Sequence, residues 1–178
     1  MKFKHKERKE VFRNDVVTVY NENLVLPNGK EVTWTFTGKK EVVAILALTK
    51  KQTVIMVEQY RPAIRREFLE IPAGLVEKNE LPLEAAKREL EEETGYQAES
   101  WTKICSYFGS AGVSDGEYHL FLAKELKKTH QHLDEDEFLT VREIPFKEIS
   151  IYDLQDPKSI IAFQYYLLSS SCCEDTNK

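Results

Sequence analysis

Gly74-Leu75-Val76-Glu77-Lys78-Asn79-Glu80-Leu81-Pro82-Leu83-Glu84-Ala85-Ala86-Lys87-Arg88-Glu89-Leu90-Glu91-Glu92-Glu93-Thr94-Gly95-Tyr96 holds a helix with carboxylates along one side. Pro82 stands where a first helical residue would, because a helix start leaves that N–H unbonded anyway. Leu83 to Glu93 follows without a breaker, and Gly95 takes the usual place of a C-terminal stop. At 100° per residue, Leu83, Ala86 and Leu90 fall within about 60° of one another and form the stripe that packs on a sheet. Glu89, Glu92 and Glu93 fall within about 100° of one another on the neighbouring face.

Like charges three and four residues apart repel by a few tenths of a kcal/mol per pair. A helix selected for stability alone would alternate signs there, so something positive is expected to compensate. Hard oxygen ligands with no His or Cys beside them suit Mg²⁺ or Mn²⁺ rather than Zn²⁺. Mg²⁺ takes few carboxylates and completes its shell with water and substrate phosphates. The helix therefore points to a phosphate-handling metal site, whereas a bare run of glutamates is usually a solvated face.

Upstream of the helix, Phe68 to Ile71 reads as a short strand stopped by Pro72-Ala73-Gly74. Val42 to Leu48 and Thr53 to Tyr60 read as two strands joined by a turn at Lys50-Lys51-Gln52. Val16 to Tyr20 and Glu31 to Thr37 flank the turn signal Pro27-Asn28-Gly29 and predict a hairpin. Downstream, strands are expected at about Trp101 to Phe108, Tyr118 to Ala123 and Phe138 to Ile144. Asp156 as N-cap with Pro157 behind it predicts a second helix to about Leu168, then a frayed tail. The expected fold class is α/β, a mixed sheet with one central and one late helix.

The 178 residues suit one domain, and 42% hydrophobic with 31% charged residues excludes disordered and collagen-like classes. With 25 Lys and Arg against 30 Asp and Glu the net charge is −5, so no global basic field exists to hold nucleic acid or an anionic membrane. The longest apolar run, Val42 to Leu48, has strand length, and no transmembrane helix is expected. Met1 to Phe12 lacks the apolar region of a secretory signal, and Cys105, Cys172 and Cys173 make no disulfide framework. A cytoplasmic location is expected. The run Lys2, Lys4, Lys6, Arg8, Lys9, interrupted by Glu7 and Glu10, reads as a solvated arm. His5, His119, His130 and His132 have no metal-ligand spacing and read as structural or surface residues.

The spacing Gly74, five residues, Glu80, seven residues, Arg88-Glu89-Leu90, one residue, Glu92-Glu93, one residue, Gly95-Tyr96 resembles the Nudix box, the signature of hydrolases that cut diphosphates linked to another moiety. Chance agreement at seven Gly, Glu or Arg positions is on the order of 10⁻⁶ or less. Tyr96 stands where the family prefers an aliphatic residue. The resemblance implies an α/β/α sandwich with a mixed sheet, preceded by an N-terminal antiparallel sheet. It divides the chain into 1–40, an N-terminal β segment expected to form a homodimer, 41–170, the hydrolase domain, and 171–178, a flexible tail.

The same resemblance implies roles. Glu89 and Glu93 would be the principal metal ligands, Glu92 would share them, and the Ala73 carbonyl would join. Arg88 would orient the carboxylates. Glu58-Gln59-Tyr60-Arg61-Pro62 followed by Glu70-Ile71-Pro72-Ala73-Gly74 is similar to the ADP-ribose pyrophosphatase branch of that family. By that similarity Arg61 would contact substrate phosphates, Glu70 would lie beside the metals, and Trp34 would stack on the base. The general base would come from Leu133-Asp134-Glu135-Asp136-Glu137-Phe138, with Glu135 first and Glu137 second. Ser110 to Glu117 departs from the branch's loop, with Ala111 in place of a proline and Gly116 in place of an acid. Thr37 to Glu41 also lacks the branch's pattern. The expected activity is Mg²⁺-dependent hydrolysis of ADP-ribose or a similar nucleoside diphosphate sugar. Another nucleoside diphosphate derivative is the alternative substrate, and a ligand-sensing module that does not cut is the alternative class.

Overall fold

A computed structural model describes residues 2–14, 16–38, 41–135 and 137–174, with side chains to 169. It is a mixed α/β structure that falls into two compact units, residues 1–41 with 107–118, and residues 42–106 with 119–178.

The first unit is built on three antiparallel strands, β1 (Lys4–Arg13), β2 (Thr18–Val25) and β3 (Glu31–Gly38), in that order. The β2–β3 hairpin turns at Pro27-Asn28-Gly29, where Gly29 has φ +86°, a value that glycine adopts without strain. The stretch expected to be a solvated arm is instead β1, paired along its length with β2. Every residue of β1 is exposed, so no buried face wrote an apolar alternation into the sequence. Its order comes from partners on β2 and β3: Arg8 Nε donates to Glu22 at 2.7 Å, Lys6 Nζ donates to Glu31 at 2.5 Å, and His5 pairs with Glu22. Thr37 in β3 takes Val113 of the 107–118 segment through its N–H at 2.8 Å.

The second unit carries β4 (Val42–Leu48), β5 (Thr53–Arg61), β6 (Arg66–Glu70), β7 (Ala73–Leu75), α1 (Pro82–Thr94), β8 (Tyr96–Phe108), β9 (Glu117–Lys128), β10 (Leu139–Pro145) and α2 (Pro157–Glu174). Its main sheet runs β10-β5-β4-β9-β8, with β6 added to β5 and β7 to β4. All of β4 from Val43 to Leu48 is buried. Val43, Ile45 and Ala47 pack with Ala85, Ala86 and Leu90 of α1, and Leu83 borders that cluster, as the stripe requires. Alternation sends Ala44, Leu46 and Leu48 to the opposite face, and α2 also packs on β4, which completes the sandwich.

Three differences from expectation have local causes. β7 was hidden because Pro72-Ala73-Gly74 reads as a turn; pairing of Ala73 and Gly74 with Ala44 and Val43 makes it a strand. β8 begins at Tyr96 rather than Trp101, since Gly95 at φ +67° reverses the chain directly out of α1. α2 runs to Glu174 instead of ending near Leu168, and residues 175–178 of the expected tail lie outside the described residues. Asp156 does cap α2, accepting from the Ser159 N–H at 2.9 Å and the Ser159 hydroxyl at 2.7 Å. No described helix is long and apolar enough to cross a membrane.

Candidate active site

The carboxylate face of α1 is organised by one arginine. Arg88 Nε and Nη2 grip both oxygens of Glu80 at 3.0 Å, and Nη2 also reaches the Leu75 carbonyl at 2.9 Å. Nη1 donates to Glu89 at 2.8 Å and to Glu92 at 2.9 Å. Five acceptors thus meet the five donors of a rigid planar fork. Each carboxylate raises the basicity of the guanidinium, Glu80 most of all, so it stays charged. Its action is to hold the loop Leu75 to Glu80 and the carboxylates of Glu89 and Glu92 in one geometry.

Glu93 is 3% exposed and accepts the Ala73 N–H at 2.9 Å. Burial pushes its carboxyl up to about 8, against the Ala73 hydrogen bond, and the charges of Glu89, Glu137 and Glu70 push the same way as burial. Glu89 is 8% exposed and is pushed up to about 7, again foremost by burial; Arg88 opposes, while Glu92 and Glu137 add to the rise. Glu92 is more exposed, its side chain retaining 40% of its surface.

Gly74 makes the close approach possible. A Cβ there would lie 1.9 Å from Glu89 Cδ and 2.1 and 2.2 Å from its two oxygens. The requirement is space beside the carboxylate rather than an unusual φ. Gly74→Ala is expected to lower kcat/KM at least about a hundredfold while circular dichroism stays unchanged, because displacement of a side chain at a reaction site by about 1 Å has effects of that size.

The loop after β9 is tied to the end of α1. Thr129 N–H donates to Gly95 O at 2.7 Å, His132 N–H to Glu92 O at 2.9 Å, and the Gln131 side chain to Glu93 O at 2.6 Å. These bonds satisfy carbonyls that a helix C-terminus leaves open, and they carry the following acidic loop toward the cluster. Glu137, partly buried, exerts its charge on both Glu89 and Glu93. Glu135 is exposed and is not among the largest influences on either group; Asp136 lies outside the described residues.

Glu70, 2% exposed at the end of β6, accepts Arg61 Nε at 2.7 Å on one oxygen and Lys158 Nζ at 2.8 Å on the other. Arg61 is drawn from the end of β5, which pairs with β6 through Arg61 and Arg66. Lys158 and Ser159 were not singled out by sequence, and Asp156 was read only as the N-cap of a helix. The acidic-cap pattern Asp156-Pro157-Lys158-Ser159 was visible, but nothing in it pointed to Glu70, which Lys158 follows by 88 positions. Trp34 belongs to the other unit, is 42% exposed, and has Phe3 and Phe36 at ring-centre distances of 6.0 and 6.3 Å.

Among the described residues no three His, Cys, Asp or Glu side chains are placed so that together they could hold a metal ion. Glu89 is turned to Arg88 and Glu93 to the Ala73 N–H. The donor set nonetheless fits a hard divalent cation. Two buried carboxylates with raised pKa values feel the negative charge of Glu137, and Glu93 that of Glu70 as well, so a cation beside them would favour their ionised form.

Comparison with known proteins matches residues 38–165 to the model described as the NUDIX domain. The chain is 39% identical over 170 residues to the ADP-ribose pyrophosphatase of Bacillus subtilis, with 92% of each chain covered. It is 38% identical over 174 residues to the methanol dehydrogenase activator of Bacillus methanolicus, with 91% of each covered. A crystal structure of an ADP compounds hydrolase superposes with a TM-score of 0.80 at 22% identity, covering 96% of both chains, a likeness of fold.

Proposed function

The chain belongs to the Nudix family, and from that premise we propose that it hydrolyses the diphosphate of ADP-ribose or a similar nucleoside diphosphate sugar. From ADP-ribose the products are AMP and ribose 5-phosphate: the water oxygen bonds to one phosphorus and the bridging oxygen leaves with the other phosphate. The observation that carries this reading is the set Glu89, Glu92 and Glu93 on one face of α1, the first two held by Arg88 and the third by the Ala73 N–H, with Glu89 and Glu93 buried against their own charge.

Nudix hydrolases depend on divalent metals. In this reading Mg²⁺, with Mn²⁺ as a substitute, would be held by Glu89 and Glu93 with help from Glu92 and the Ala73 carbonyl. When bound, it neutralises diphosphate oxygens and lowers the pKa of a coordinated water. The protein's own part is positional and acid–base. Arg88 orients the carboxylates. Arg61, anchored by Glu70 through Nε, turns the rest of its fork to phosphate oxygens. Glu137 takes the water's proton on a carboxylate oxygen, favoured over Glu135 by the reach of its charge to Glu89 and Glu93. Trp34 stacks on the base, which gives affinity with little discrimination. The exposed apolar residues Val11 and Phe12 of the N-terminal sheet, with Phe3 just before it, suit a homodimer of this chain. The reading includes a cytoplasmic location.

The test is incubation of the purified protein with ADP-ribose, with Mg²⁺ or with chelator, and detection of AMP. Metal-dependent AMP supports the reading. Folded protein that makes none overturns ADP-ribose as substrate, and a panel of other nucleoside diphosphate derivatives then identifies the one cleaved. The relative named as a methanol dehydrogenase activator, at almost the same identity as the pyrophosphatase, gives that panel its purpose.

Two further outcomes are expected. Trp34→Ala raises KM about tenfold with little change in kcat, because stacking supplies uniform binding. An unchanged KM removes Trp34 from the site. Mg²⁺ raises the melting temperature more at about pH 8.5 than at about pH 6. Glu89 and Glu93 have folded pKa values of about 7 and about 8 against an ordinary 4.5. The metal-free fold therefore binds protons that the unfolded chain has lost, and its stability falls as pH rises from 4.5 through 8. At high pH both carboxylates are ionised and ready for the cation. Equal thermal shifts at the two pH values would separate the cation's site from these residues.

A further inference from the structure

Lys158 is a lysine with 11% of its side chain exposed, in the first turn of α2. Its ammonium donates to Glu70 at 2.8 Å and to Asp156 at 2.7 Å. Burial works against its charge, and the two carboxylates outweigh burial. Ser159, the next residue, donates its hydroxyl to Asp156 at 2.7 Å and accepts the Ile71 N–H at 3.0 Å, so the start of α2 is fastened to the end of β6 at two adjacent points.

The four charged groups form an alternating row: Arg61, Glu70, Lys158, Asp156. Glu70 has both oxygens engaged, one by each cation. Remove Lys158 and one oxygen of a 2%-exposed carboxylate has lost its partner, so the carboxylate is free to rotate and to pull Arg61 Nε with it. Arg61 itself is 40% exposed and gives only its Nε to Glu70 among the described residues. Its two Nη groups are the part that faces substrate in the proposed function, and their direction depends on where Nε is held.

We propose that Lys158 is a positioning residue for the diphosphate: by pinning Glu70 between itself and Arg61, it fixes the direction in which Arg61 presents its guanidinium. The inference deepens the proposed function and rests on Arg61 as the phosphate contact. It assigns a role in substrate binding to a helix residue that touches no substrate.

The test uses the full chain labelled with ¹⁵N and carrying Lys158→Met, which keeps the length of the stem and removes the charge. The Arg61 Nε–H resonance, assigned by its loss in Arg61→Lys, is expected to shift and to exchange with water at least about tenfold faster in Lys158→Met than in wild type. KM for ADP-ribose is expected to rise about tenfold with kcat within about threefold. In the Arg61→Lys background Lys158→Met is expected to add nothing to KM, as it must if Lys158 acts through Arg61. Asp156→Asn/Lys158→Met keeps an N-cap acceptor for Ser159 and removes the carboxylate that loss of Lys158 alone would orphan, so it gives the same readouts in a chain with balanced charge. An unmoved Arg61 resonance in a folded variant, or a KM effect that adds in full to that of Arg61→Lys, overturns the proposal. Absence of any cleavage by wild type would count against the substrate reading alone, because the Arg61 resonance reports on Lys158 without turnover.

Discussion

Glu93→Gln is expected to lower kcat by roughly a thousandfold, about 4 kcal/mol of transition-state stabilisation, in a protein that is folded and more stable than wild type without metal. The two halves of this result have one cause. Glu93 is 3% exposed and lies within a hydrogen bond of the Ala73 N–H, 2.9 Å away. A glutamine keeps an oxygen to accept that N–H, so the backbone of β7 stays where it is. What it loses is the charge that burial disfavours. Since the folded pKa is about 8 and the ordinary value is 4.5, the wild-type residue brings no penalty below 4.5, a growing one up to 8, and a constant one above. The variant's advantage in melting temperature should therefore be absent at acid pH and reach about 5 °C or more in alkaline, metal-free buffer. Thermal melts with chelator and turnover with Mg²⁺ measure the two halves separately. Near wild-type turnover in folded Glu93→Gln would falsify the assignment of Glu93 as a metal ligand.

Arg88→Ala is expected to destabilise the chain by about 3 kcal/mol, and to lower kcat/KM about a hundredfold in whatever remains folded. The guanidinium is only 26% exposed on its side chain and meets five acceptors, so its removal orphans several partners at once. The side chains of Glu80 and Glu89 are 17% and 11% exposed and would lose the cation that favours their ionised form. Glu89 would then rise further above its value of about 7 and bind the cation less readily at neutral pH. Arg88→Lys should recover little, because three rotatable donors on one nitrogen cannot span Glu80, Glu89, Glu92 and the Leu75 carbonyl. Urea denaturation with chelator gives the stability change, and the apparent Mg²⁺ affinity gives the effect on the site. Wild-type stability and metal affinity in Arg88→Lys would show that charge alone matters there.

How much of this was legible beforehand varies with how local the cause is. α1 was read from Pro82 to Gly95 because every signal for it, the N1 proline, the apolar stripe and the C-terminal glycine, lies within its own length. The same holds for the β2–β3 hairpin and for the cap at Asp156. β1 and β7 escaped because each becomes a strand only through its partner, β2 in one case and β4 in the other. The acidic loop was located as a candidate, with Glu135 placed ahead of Glu137 on position alone. The charge of Glu137 reaches Glu89 and Glu93, and that depends on bonds from residues 129–132 to the end of α1.

The amino-acid sequence by itself determined the helix, the identity and angular placement of its three carboxylates, the glycine beside them, and the family to which that spacing belongs. These are consequences of helical periodicity and of residue type, which are properties of neighbours along the chain. Only the tertiary structure decided that Glu93 and Glu89 are buried against their charge, that Gly74 leaves room for the Glu89 carboxylate, and that Lys158 closes the row of charges begun at Arg61. Burial and ion pairing depend on which distant segments fold against a residue, and for Glu70 and Lys158 those segments are 88 positions apart.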